Sequence, residues 1–197
     1  MPMIEVMTEL EAVNEMLMSI GQAPVNTLNV TGIKDVNIAK ARLRTVTRTV
    51  LSRGFNFNTD ENYELSPNAD GIILIPPGVL KLEGMGPTDE FTQRRHATGM
   101  ALYNKTDNTF IFDAPVALKI TWGFAFEDLP ETARNYIATC AGRRFQSKVI
   151  GSQILDRFEE EDELKAWMLL ERDERGSRKT NLFRGNATIA AFGSRSY

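Results

Sequence analysis

The chain has 197 residues, 23 Lys and Arg against 26 Asp and Glu, a net charge of −3 and one cysteine. Such a length buries roughly 70% of its unfolded surface on folding, so neither disulfides nor metals are needed. A single Cys140 excludes an internal disulfide and a multi-cysteine zinc site, and no segment approaches the roughly 18 apolar residues of a membrane-spanning helix.

The charge is unevenly spread. Residues 176–197 hold Arg178, Lys179, Arg184 and Arg195 with no acid, a +4 tail on a body of −7. That is an interaction layout. Glu5, Glu9, Glu11 and Glu15 precede the first basic residue, Lys34, the reverse of a secretory signal, so the expectation is a cytosol-made chain.

Thr8 with Glu11 forms a capping box for a first helix to Ile20, with Leu10, Val13, Leu17 and Ile20 as its apolar stripe and Gly21 as its stop. Asp35 opens a second helix to Arg53, closed by Gly54. Val36, Ala39, Leu43, Val46 and Val50 form its inner face, and Lys40, Arg44 and Arg48 stand at four-residue intervals outside.

From Phe55 to Phe126 the texture becomes β. The runs Phe55–Phe57, Gly71–Ile75, Val79–Leu82, Thr109–Phe112 and Ala117–Phe126 are divided by Pro, Gly and Asn signals, which predicts antiparallel pairing. The sole histidine, His96, reads as a surface residue.

Phe126 to Gly151 predicts a long third helix, with Asp128 and Glu131 as a capping pair and Pro130 in the first turn. Ala133, Tyr136/Ile137, Cys140/Ala141, Arg144/Phe145 and Lys148/Val149 recur at three- and four-residue spacing along its apolar face. Arg134, Arg143 and Gln146 fall opposite, toward solvent or a partner. Cys140 reads as an inert buried thiol. A fourth helix, Gln153 to Arg175, packs through Ile154, Leu155, Phe158, Leu164, Trp167, Met168 and Leu170, with Glu161–Lys165 and Glu171–Arg175 as i,i+4 pairs. Beyond it, Phe183, Phe192 and Tyr197 are aromatic anchors in a polar, basic tail.

These elements give an α+β fold, a four-helix body with an inserted antiparallel β sub-domain and an extended C-terminal tail. The expected divisions are 1–54 for helices one and two, 55–126 for the β sub-domain, 127–175 for helices three and four, and 176–197 for the tail. Catalytic patterns are absent: one His and one Cys lie far apart, no EF-hand or Walker spacing occurs, and no cofactor is implied. The acidic run Glu159–Glu163 reads as a solvated face rather than a paired-carboxylate site. Lys40, Arg44 and Arg48, and Arg143, Arg144 and Lys148, could meet phosphate or acidic partners.

The motifs Ala12-Val13-Asn14 through Leu17, Ser19-Ile20-Gly21, Pro24-Val25-Asn26-Thr27-Leu28 and Ser52-Arg53-Gly54-Phe55-Asn56-Phe57-Asn58 occur in that order. Asp128-Leu129-Pro130-Glu131, Tyr136-Ile137, Ala141, Arg143-Arg144-Phe145 and Gly151 follow, with the acidic helix behind them. Together they resemble the tail tubular protein A family, the adaptor or gatekeeper proteins of short-tailed, podovirus-type bacteriophages. The resemblance implies a structural virion tail protein. It forms a ring of twelve copies under the capsid portal, joined below to the nozzle (tail tubular protein B) and helping to hold the tail fibres. Double-stranded DNA passes through the ring during ejection, and no membrane is involved. On that reading Arg178, Lys179, Phe183, Arg184, Phe192, Arg195 and Tyr197 form a portal-docking tail. Lys40, Arg44, Arg48, Arg143 and Arg144 are then candidate subunit contacts. The competing reading is a tail-associated glycan hydrolase using carboxylates among Asp113, Glu127, Asp128 and Glu131. A nucleic-acid-binding regulator comes third, against the acidic body.

Overall fold

The computed structural model describes residues 5–29, 32–86, 90–149 and 153–185, with side chains left undescribed at 153–159 and 178–185. Four helices and antiparallel sheets make it an α+β protein. The chain divides into two compact units, Met1–Thr47 with Ala125–Tyr197, and Arg48–Phe124.

In the first unit, α1 (Glu9–Ser19) carries the expected capping box. Thr8 N–H donates to Glu11 Oε2 at 2.7 Å, and Glu11 N–H donates to Thr8 Oγ1 at 3.2 Å. Its buried face is Ala12, Val13, Met16 and Leu17, while Leu10 and Ile20 lie at its margins. Asn14 ties down the following loop from both sides, donating to Val25 O at 2.9 Å and accepting Val25 N–H at 2.8 Å. Helix α2 (Lys34–Leu51) buries Val36, Ala39, Leu43, Val46 and Val50 as expected.

Helix α3 (Glu131–Val149) starts later than expected. Phe126–Asp128 is a separate 3-10 turn, and Pro130 O accepts the first helical N–H bonds, from Ala133 and Arg134. Glu131 reaches Met7 N–H at 2.9 Å, which docks the N-terminal segment on the helix. The polar face expected of α3 toward solvent or a partner is instead mostly buried within the unit. Arg134 and Gln146 are buried and Arg143 is half-buried, because carbonyls and carboxylates inside the same unit receive them. Val149, assigned to the apolar face, is exposed.

Helix α4 (Gln153–Gly185) is 33 residues against 19 for α3. The two run antiparallel: Arg143 meets Glu163, Tyr136 meets Trp167, and Thr132 donates to Asp173. Residues 176–185, expected as extended tail, are therefore helical. No Pro interrupts the run, and Arg175, Arg178, Lys179 and Arg184 suit the negative end of the helix dipole. Lys165 pairs with Asp162 at 2.9 Å, and Glu171 with Arg175 at 2.6 Å. Gly151 and residues 186–197 lie outside the described residues, as do the side chains of Ile154, Leu155 and Phe158.

In the second unit a three-stranded antiparallel sheet has the order β1 (Thr59–Leu65), β5 (Val116–Trp122), β2 (Val79–Gly84). The central β5 buries Leu118 and Ile120 fully, packed with Leu65, Ile73 and Leu102. Phe55–Phe57 is not a strand: Asn56–Asn58 forms a 3-10 turn. Gly54 precedes it at φ +78°, where a Cβ would stand 3.3 Å from both Thr121 Oγ1 and Thr59 Oγ1. Only glycine suits that backbone and that space. Gly71–Ile75 and Thr109–Phe112 contribute only isolated bridges. A hairpin of β3 (Phe91–His96) and β4 (Gly99–Asn104) was not expected. Its polar Thr-Gln-Arg-Arg run hides a strand in which the Arg94 guanidinium covers the Tyr103 ring, 3.9 Å from the centroid. His96 is half-buried against Phe110.

Candidate interaction surfaces

The basic side chains of α2 and α3 divide into those with a described partner and those exposed without one among the described residues. Lys40 Nζ donates to Leu28 O at 3.0 Å, holding the loop before α2. Arg143 bridges α3 to α4, 3.2 Å from Glu163 and 3.8 Å from Glu160, which gives part of the acidic run a structural task. Arg44 and Arg144 remain exposed, as does Arg48 at the end of α2.

A shallow groove of about 440 Å³ runs along α2 to the last turn of α3. Ile38 and Ala41 line it with Lys34, Arg42 and Lys148, and no carboxylate is among its lining residues. No ion pair to these three cations occurs among the described residues.

Helix α4 presents a different surface. The stretch Ala166-Trp167-Met168-Leu169-Leu170 is apolar all round, and one partner helix can cover only half of it. Ala166 and Leu170 are buried; Leu164, Met168 and Leu169 are 54%, 58% and 48% exposed. Sequence periodicity assigned Leu164 and Met168 to the packing face, and the structure reverses that. The all-round apolar stretch was the signal that α3 covers only one side of α4. Sequence reasoning missed the groove cations Lys34 and Arg42, because both fall off the regular 40–44–48 stripe.

Asp173 lies opposite Thr132, one residue into α3, so α4 passes the end of its partner there and continues to Gly185. Arg178, Lys179, Phe183 and Arg184 belong to this overhang by backbone position, while Phe192, Arg195 and Tyr197 lie outside the described residues.

Asp113 belongs to the second unit, whereas Glu127, Asp128 and Glu131 are exposed at the start of α3 in the first. Glu131 is engaged with Met7 N–H. Among the described residues, no group of His, Cys, Asp and Glu could hold a metal ion, and no helix is long and apolar enough to cross a membrane.

Burial pushes the Cys140 thiol from its ordinary 9.0 up to about 12. At neutral pH it is an un-ionised core group. The unfolded thiol ionises first, so folding stability is unaffected by this group below about pH 9 and falls as pH rises from there toward 12. Urea titrations at stepped pH check this: Cys140→Ala should lose less stability than the native chain between about pH 9 and 11. Parallel losses would contradict it.

A family model described as tail tubular protein matches residues 10–180. The chain belongs to the tail tubular protein family. Tail tubular protein A of Klebsiella phage KP34 is 36% identical over 132 residues, 67% of this chain and 68% of that protein. As a tail tubular protein it is a structural component of the virion tail. Asn14, Arg134 and Arg143 hold backbone and helices in place.

Proposed function

We propose that this tail tubular protein is a ring-forming adaptor that joins the capsid portal to the tail nozzle, tail tubular protein B. The ring of twelve copies helps attach the tail fibres, and double-stranded DNA passes through its channel during ejection. The observation that carries the reading is the family match over residues 10–180, most of the helical unit and all of the β unit. Two features of the helical unit support it. The groove on α2 and the apolar flank of α4 are unlike surfaces on one subunit, as head-to-tail contacts in a ring require. The overhang of α4 carries Arg178, Lys179 and Arg184, three of the tail's four cations, past the end of α3, where they can reach a neighbouring acidic protein such as the portal. In this reading Arg44, Arg48 and Arg144 are available for subunit contacts, while Lys40 and Arg143 act within the subunit.

Truncation after Gly176 tests the docking arm. The cut falls after the last contact described between α3 and α4, Thr132 with Asp173, so the shortened chain should keep its fold and its urea midpoint. It should fail to co-sediment with portal rings at concentrations where the full chain saturates them. Undiminished co-sedimentation would remove residues 177–197 from the portal contact.

A further inference from the structure

The adaptor reading requires contacts between copies but does not say which surface meets which. We infer that the cationic groove on α2 receives the exposed flank of α4 from a second copy, with Glu161 and Asp162 meeting Lys34, Arg42 and Lys148 while Leu164 and Met168 cover Ile38 and Ala41. The inference rests on that ring reading and assigns its subunit interface.

Chemistry on both sides leads to this pairing. The groove combines an apolar floor with a rim of three cations and no acid. Such a site rejects a purely apolar helix, which would strand the cations, and a basic one, which they would repel. It fits a helix carrying aliphatic side chains beside carboxylates. The flank of α4 has that composition: Glu161, Leu164 and Met168 fall at i, i+3 and i+7 on one exposed face, with Asp162 and Lys165 alongside, paired to each other at 2.9 Å, so docking exchanges Lys165 for the groove cations as the partner of Asp162. Groove positions 34, 38, 41, 42 and 45 follow the same three- and four-residue rows on α2, the ridges and grooves through which helices interlock.

Within one subunit the flank cannot cover itself. The opposite side of α4 is already engaged with α3 through Glu163, Ala166 and Leu170. Flank and groove are different surfaces, so each copy can give one and receive the other, and the contact propagates around a closed ring. DNA is the competing occupant. Three lysines and arginines over an aliphatic floor supply few phosphate contacts, and a chain of net charge −3 disfavours a duplex.

Phage particles carrying Ala41→Cys and Leu164→Cys in this chain test the contact in assembled tails. Cys140 is buried and does not interfere. Mild oxidation should give a ladder of covalent multimers on non-reducing gels, and each single-cysteine variant should give none. Tails that hold many copies but yield no ladder would overturn the interface and leave the ring standing. Tails that hold one copy would overturn the ring as well. If the paired cysteines prevent assembly, charge reversal decides. Arg42→Glu with Lys148→Glu should cut particle yield at least tenfold, and adding Glu161→Lys with Asp162→Lys should restore it. Failure of that rescue would overturn the pairing, as would duplex binding by the isolated protein that Arg42→Glu with Lys148→Glu abolishes.

Discussion

Replacing Arg134 with alanine is expected to cost roughly 3–5 kcal/mol of stability. The residue is 7% exposed. Its Nε donates to Leu129 O and its Nη1 to Met7 O, each at 2.7 Å, while Nη2 donates to Glu127 O. A fixed fork of donors thus gathers three carbonyls from the N-terminal segment and the turn before α3. Hydrogen bonds to a charged group contribute about 1.5–3 kcal/mol each, and losing the fork leaves buried acceptors without a donor. Lysine presents a point charge in place of the fork, so Arg134→Lys should recover only part of the loss. Arg144→Ala, ten residues along the same helix and exposed, should stay within about 0.5 kcal/mol. Urea titration of the three variants is the check. An Arg134→Ala midpoint close to that of Arg144→Ala would show that the carbonyls find water instead.

The second large effect is expected at Asn58, 1% exposed in the β unit. Its Oδ1 accepts Phe55 N–H at 2.7 Å, and its Nδ2 donates to Leu51 O at 3.0 Å and Trp122 O at 2.7 Å. One side chain therefore joins the last residue of α2, the 3-10 turn and the end of β5. Asn58→Ala should cost about 2–4 kcal/mol, since each buried group left without a partner costs about 1–3 kcal/mol. Asn58→Asp discriminates the cause. It keeps the acceptor but points a carboxylate at two carbonyls, so it should be at least as damaging as alanine at neutral pH. Urea midpoints of the two variants decide between the causes. A well-tolerated Asn58→Asp change would mean that packing volume, rather than the donor pair, matters at this position.

Periodicity located the helices because their inner faces are aliphatic, and α2 buries the expected five residues. It misplaced Arg134 because periodicity sees polarity, not partners: three carbonyls made burial of a charge tolerable. The β3–β4 hairpin escaped for a related reason, since Arg94 covers an aromatic ring and the strand shows no apolar alternation. Asn14, Gly54 and Asn58 were legible as family motifs before their work was known. The structure shows them as tethers and a tight turn, fixing loops to helices and strand ends. The apolar flank of α4 was visible in composition but assigned inward, because a sequence cannot say how many partners a helix has.

Electron microscopy of the purified chain mixed with portal rings tests the central claim, that this polypeptide works by fitting between neighbours. The account predicts a closed ring of this chain seated on the portal, its copies in contact through helical units and leaving an axial channel wide enough for a duplex. Portal rings that stay bare beside single, unassembled copies of the chain would contradict it.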